Sequence, residues 1–292
     1  MTAITGDHQA ERPTRPAGRR RRPTSVPGLR ILTGGVARLW LVALLVGCWE
    51  IITRIKQDAY FPPPSTIVRV FHELWFSGPA THLFLTDKAL DDFPPSFVNL
   101  FCGWALAAVV GLALGVLLGS SRVAREILDP VLQFGRSVPP PTLIPFFIVV
   151  FDFGAQMQIS TIAFGVIWPV LLNTADGVRT VEKLQLETAE VFGVTGAARL
   201  FRIILPAAAP KIFAGLRVSL GFALILMVIS ELIGSTTGIG AHLISSQQGM
   251  ELPEMWAGIV LLGILGCLFN AVFVLVERRF LSWHSSARGL DS

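Results

Sequence analysis

Residues 187–206 read ETAEVFGVTGAARLFRIILP. Two glutamates, two arginines and two glycines stand there between long apolar runs, closed by Leu205-Pro206. The stretch 181–192, VEKLQLETAEVF, suits a helix. Leu184, Thr188 and Val191 fall three or four residues apart on one side, with Glu187 and Glu190 on neighbouring faces. Gly193 permits a turn or a close approach by another backbone. A second helical stretch covers about 195–204, and Pro206 marks a boundary before the next apolar run. Helix, glycine-hinged turn, helix and proline make a compact, partly apolar knob. Periodicity by itself favours an interfacial helix pair that joins two spans.

The surroundings decide where the knob lies. The chain has 292 residues, 52% hydrophobic and 15% charged. Soluble domains carry about a quarter charged residues, so this is the composition of a polytopic membrane protein. Cys48, Cys102 and Cys267 all sit in apolar runs, and their odd number does not make a disulfide framework. The sequence has no C-x-x-C, no histidine cluster with metal spacing and no GxxxxGK[ST] phosphate loop.

A helix needs about 20 apolar residues to cross a bilayer. Six segments qualify, near 36–54, 97–119, 131–151, 157–174, 211–234 and 256–276. Pro139, Pro140, Pro141, Pro145 and Pro169 interrupt the third and fourth, which places those two inside the bundle, where neighbours satisfy the freed carbonyls. A cytoplasmic N-terminus puts 20 of the 24 Lys and Arg on the cytoplasmic face. That is the positive-inside pattern, and it makes residues 187–206 cytoplasmic. The arginine-rich, Pro- and Gly-containing segment 1–34 has nothing to fold around and reads as a disordered basic cytoplasmic tail. A transmembrane region follows over 35–285, then a short cytoplasmic tail, 286–292. Arginines followed by LWLVALLVGC also imitate a signal peptide ending at Cys48, but five further spans follow.

Outside, PPPSTIVRVFHELWFSG (62–78) reads as a short amphipathic helix. Ser65 or Thr66 caps it, Ile67, Val70, Phe71 and Leu74 share one face, and Gly78 ends it. Of the ionisable groups inside spans, Glu50 lies near the outer end of the first and reaches water. Glu231, after Ser230 near the outer end of the fifth, is a candidate for lining the outward vestibule. Ser137, Thr142, Asn173 and Asn270 are weaker pathway candidates, since such residues also serve as interhelical glue. No Lys or Arg stands in the middle of a span ready for an anion.

The spacing in 187–206 adds a family signal. Glu187, Thr188, Ala189, three residues, Gly193, nine residues, Ile203, one residue, Leu205 and Pro206 resemble the EAA loop of permease subunits in binding-protein-dependent ABC importers. Thr188 stands where that loop usually has its second alanine. LDPVLQFGRSVPPPTLIPFFIVVF, LLNTADGVRTVEKLQLETA and AGLRVSLGFALILMVISELIGSTTGIG look like the nitrate/sulfonate/taurine-type branch, over roughly residues 60–280. FDFGAQMQ (151–158) departs from it: the branch more often has a Phe-Gly pair with a second Gly nearby, and here Asp152 follows Phe151.

The resemblance implies an all-α membrane protein of the type I ABC importer transmembrane-domain fold, with six transmembrane helices and an EAA loop at about 184–206. It implies that the loop is a coupling helix seated in a groove of a separate ATPase. Glu187, Thr188, Ala189 and Gly193 would make that contact, and Ile203, Leu205 and Pro206 would set the return into the membrane. It further implies a homodimer in the bacterial cytoplasmic membrane, two ATPase copies and an extracytoplasmic solute-binding protein. ATP and Mg would be held by the ATPase, and no cofactor or nucleic acid by this chain. The cargo would be a small anion such as an aliphatic sulfonate, taurine or nitrate, or in the same class a pyrimidine-type vitamin precursor. An ion-coupled secondary transporter would be expected to show internal repeats, and a membrane enzyme would need catalytic groups paired in its spans. The sequence displays neither, with His8, His72, His82, His242 and His284 all outside the spans.

Overall fold

The computed structural model describes residues 27–281, with side chains from residue 40 onward. Most of the expected N-terminal tail and all of 286–292 lie outside the described residues, and helix α1 (Pro27–Lys56) already begins within the expected 1–34 tail. Contacts divide the chain into one unit ending at Trp49 and a second starting at Glu50. The first unit contributes the charge-free stretch 40–49 of α1. The second adds α2 (Pro64–Trp75), α3 (Asp87–Ser120), α4 (Arg122–Ser137), α5 (Ile144–Phe151) and α6 (Ala155–Arg179). It continues with α7 (Lys183–Val191), α8 (Gly196–Arg199), α9 (Leu205–Gly234), α10 (Ile239–Gln248) and α11 (Leu252–Phe280). No strand occurs among the described residues. Four helical rods there, 80–120, 155–179, 196–234 and 252–280, are long and apolar enough to cross a membrane, and the bent pair α4–α5 makes a fifth if it counts as one span. The predicted first span, 36–54, falls on α1 and starts among side chains outside the described residues.

The centre is the pair α3 and α6. Gly103, Gly111, Gly115 and Gly119 of α3 face Ile162, Val170, Thr174 and Val178 of α6. Ala107 keeps the four-residue spacing, so small side chains form one stripe. Every partner lies 59 residues further on, as does Gln158, which accepts a 2.5 Å hydrogen bond from Asn99. A constant offset means that the two helices run parallel and in step. A Cβ on Gly115 would stand 2.6 Å from the Thr174 Cβ, so the backbones approach as closely as glycine allows. In lipid, where burial alone does not drive helices together, such close packing supplies the attraction. Helix α9 crosses α6 the other way, with Gly177 against Ala208 and Gly215 against Asn173 and Pro169. The side chains of Leu100, Ile162, Val166, Ala223, Met227 and Phe273 fill the space among α3, α6, α9 and α11.

The third predicted span is corrected. In place of one helix over 131–151, α4 and α5 meet at 88° across Val138 and Pro139. Three successive prolines remove the backbone donors that would continue the helix. Nor does the pair lie inside the bundle. No residue of α4 is fully buried, and in α5 only Ile144 is. Leu128 and Leu132 lean on α3 and α6, while Val123, Ile127, Val131 and Phe134 form an exposed apolar stripe. Helix α6, which carries Pro169 and the fourth predicted span, is deeply packed as expected.

Helix α2 lies against α11, with Ile67 and Trp75 buried. Its start differs from expectation: Pro63 holds the N-cap position and no side chain of α2 caps it. The Glu50 carboxylate does so instead, accepting from Ser65 N at 2.9 Å and Ser65 Oγ at 2.7 Å. Glu50 thus ties the end of α1 to α2 while also holding Arg54. Gly78 does not end α2, which stops at Trp75. It donates to Phe84 O at 2.9 Å in the following turn.

Candidate functional site

The loop between α6 and α9 combines a local geometry set by glycine with an unusual surface. Helix α7 closes in a Schellman motif: Val194 N donates to Ala189 O at 2.8 Å and Gly193 N to Glu190 O at 3.0 Å. Gly193 has φ +70° with open space around it, so conformation rather than room requires glycine there. Ala189 is 4% exposed and Leu186 half-buried, so these two seat α7 on the bundle. The opposite face holds Leu184, Glu187, Thr188 and Val191 in the open, and Phe192 extends it. Val191 is 84% and Phe192 79% exposed. Apolar side chains so exposed, with acids around them, form a patch that a partner could bury. Thr188 donates its hydroxyl to Leu184 O at 2.7 Å. Its polar group is satisfied within the helix, so it presents little more than alanine would.

The expected contact set therefore splits. Glu187, Thr188 and Gly193 are exposed, whereas Ala189 points into the bundle and has a seating role. Ile203, Leu205 and Pro206 are half-buried in the return segment. The boundary expected at Pro206 is absent: α8, a π turn over Leu200–Ile204, and α9 form one rod, 196–234. A proline inside an α-helix clashes with the carbonyl four residues back and lacks a donor. The wider π turn just before Pro206 accommodates both defects.

The other end of the bundle is built differently. Three successive backbone N–H groups open α10, and each finds a side chain from another element. Gly238 N donates to Asp92 Oδ1 (2.9 Å), Ile239 N to Ser96 Oγ (3.0 Å), and Gly240 N to Glu231 Oε2 (2.8 Å). Two carboxyl groups at a helix N-terminus also suit the helix dipole. Gly238 has φ +117°, and a Cβ there would stand 2.7 Å from the Glu231 Cδ. Close by, His242 packs edge-on to Trp75, with centroids 5.1 Å apart. Burial first, and the Lys88 charge second, push its imidazole down to about 4.

The pathway candidates are not brought together. Ser230 and Glu231 are buried in the α9–α10 corner, where Glu231, 1% exposed, caps α10 through Oε2. Ser137 and Thr142 are exposed beside the α4–α5 bend and bond to Gln133 O and Pro139 O. Asn173 bonds to Pro169 O at the α6–α9 crossing, and Asn270 is exposed on α11. Sequence reasoning passed over Asp92, Ser96, Asn99 and Gln158. The spacing of Asp92, Ser96 and Asn99 on one helical face was the available signal.

Residues 109–282 match the family described as binding-protein-dependent transport system inner membrane component. The putative aliphatic sulfonates transport permease protein of Bacillus subtilis (strain 168) is 34% identical over 258 residues, 88% of this chain and 90% of that protein. The taurine transport system permease protein of Escherichia coli (strain K12) is 28% identical over 85% of this chain and 89% of its own length. Among solved structures, an inward-facing form of the MetNI methionine ABC transporter matches with a TM-score of 0.58 at 20% identity. The match covers 64% of this chain and 93% of that one, and it shows a shared fold. The chain belongs to the binding-protein-dependent transport system inner membrane components, as an ABC importer permease of the nitrate/sulfonate/taurine branch.

Proposed function

We propose that this chain forms, as a homodimer, the membrane path of an importer for a small organic or inorganic anion: an aliphatic sulfonate, taurine or nitrate. Two ATPase subunits, holding ATP and Mg, drive it, and an extracytoplasmic solute-binding protein delivers the cargo. The termini and the α7–α8 loop are cytoplasmic, in keeping with the distribution of Lys and Arg. The observation that carries the reading is the exposed face Leu184, Glu187, Thr188, Val191 and Phe192, fixed by the Gly193 cap. Apolar groups there give a groove something to bury, and Glu187, without an ion pair among the described residues, is available to a basic partner group. ATP-driven closure of the ATPases would move this face, and both states must differ in those contacts for the bundle to respond.

The test is co-purification in mild detergent combined with uptake of labelled taurine, an aliphatic sulfonate and nitrate. Wild type should carry an ATPase, and Glu187→Arg should lose both association and uptake while keeping membrane expression. Full uptake by Glu187→Arg would end the coupling reading. Transport of none of the three anions by the intact assembly would end the substrate reading alone.

A further inference from the structure

A cavity of about 660 Å³ lies under the α7–α8 loop, among the ends of α3, α4 and α6. Five cations line it: Arg122 and Arg125 of α4, Arg179 of α6, Lys183 of α7 and Arg199 of α8. No acid does. Two of the five are partly engaged. Arg122 Nε meets Glu126 at 2.8 Å, and Arg179 Nε donates to Ala175 O at 3.2 Å. Arg179 also lies 3.9 Å from Asp176, a carboxylate already held by Lys211. Arg125, Lys183 and Arg199 have no ion pair among the described residues. The Arg199 Nε is shielded from solvent and has no acceptor. A shielded guanidinium N–H without an acceptor is costly, and several like charges around one cavity repel. Both costs vanish if a multivalent oxyanion sits among them, because arginine forks match phosphate-type oxygens.

We propose that this cavity binds a phosphate-type oxyanion, presented either by the headgroup of an anionic phospholipid or by a soluble cytoplasmic anion. Basic pockets between spanning helices at headgroup level suit the first source. The bound anion draws Arg125 of α4, Lys183 of α7 and Arg199 of α8 onto one centre, so its occupancy fixes the seat of the α7–α8 loop. Binding itself does not depend on which solute the chain transports, nor on the loop's partner.

The test uses the full-length chain, delipidated in a neutral detergent, with three probes: short-chain phosphatidylglycerol, phosphatidylcholine of the same chain length, and inorganic phosphate. Calorimetry and native mass spectrometry should show one phosphatidylglycerol or one phosphate per chain. The double variant Arg125→Gln/Lys183→Gln should weaken that binding about a hundredfold, as expected for losing two charged hydrogen bonds. Arg278→Gln/Arg279→Gln, exposed on α11, should leave it unchanged. Arg199→Gln is the more severe variant, and the double variant keeps the test intact if that one does not fold. Preference for phosphatidylglycerol over phosphatidylcholine assigns a lipid source, and saturation by phosphate assigns a soluble one. Wild-type affinity in the double variant, or neither anionic probe bound above phosphatidylcholine, overturns the proposal.

Discussion

The two ends of the bundle handle polar groups in opposite ways. At the α10 end, Asp92, Ser96 and Glu231 are buried and spend their oxygens on the N–H groups that open α10. At the α7 end, Arg125, Lys183 and Arg199 have no counter-charge among the described residues, and Leu184, Val191 and Phe192 stand in the open. At the first end the N–H groups that open α10 all find acceptors within one chain, and Asp92 Oδ2 and Glu231 Oε1 are left buried without a partner among the described residues. At the second, charged and apolar groups are left without partners among the described residues. Substitutions at the α10 end should therefore act on stability, and those at the α7 end on association.

The largest effect is expected at Gly238. Gly238→Val meets the Glu231 carboxyl and a φ of +117° together, and should destabilise by about 3 kcal/mol. A thermal melt in detergent that hardly moves would show that the α10 corner is not a rigid lock. His242 comes next, through pH. Its folded-state value of about 4 lies below the ordinary 6.5. The unfolded chain therefore takes up a proton below pH 6.5 while the folded chain does not until about pH 4. Stability from this group is present above 6.5 and falls through that window by at most about 1.4 kcal/mol per pH unit. His242→Gln should flatten the pH dependence of the melt, and parallel curves would remove His242 from the account. Third is Asp152, whose φ of +62° and ψ of −178° belong to glycine's territory. Asp152→Gly should raise stability by about 1 kcal/mol. A drop would mean that the carboxylate holds the α5–α6 turn. The smallest effect belongs to the other end: Phe192→Ser should shift stability by less than about 0.5 kcal/mol. A melt lowered as far as that of Gly238→Val would abolish the distinction between the ends.

Much of the α7 end was legible in sequence because its determinants are local. Glycine at a helix end, an acid-flanked apolar stripe and a fixed spacing all fall within twenty consecutive residues. Pro206 shows where local rules stop. One π turn, invisible to periodicity, lets the helix run through a residue that normally ends it. The α10 end depends on partners far apart in the chain. Gly238 and Asp92 are 146 residues apart, and nothing near either residue announces the other. Glu231 reads in sequence as an acid in a span, and only the fold shows that one of its oxygens caps α10. The four-residue stripe from Gly103 to Gly119 can be read from the sequence, but its partner cannot. The α4–α5 bend follows from the prolines, while the outward turn of α4 depends on how the other helices fill the centre.

The constant offset between α3 and α6 has a mechanical side. Two helices in step over five matched positions cannot slide, since each glycine on one sits against a side chain of the other. They behave as a single beam about 37 Å long, the length of α6 at about 1.5 Å per residue. Helix α7 joins one end of that beam through residues 180–182 and is seated through Ala189 and Leu186, and Asn99 with Gln158 pins the other end. A short tether on a stiff beam leaves little slack, so a push on α7 meets α6 and α3 as one body.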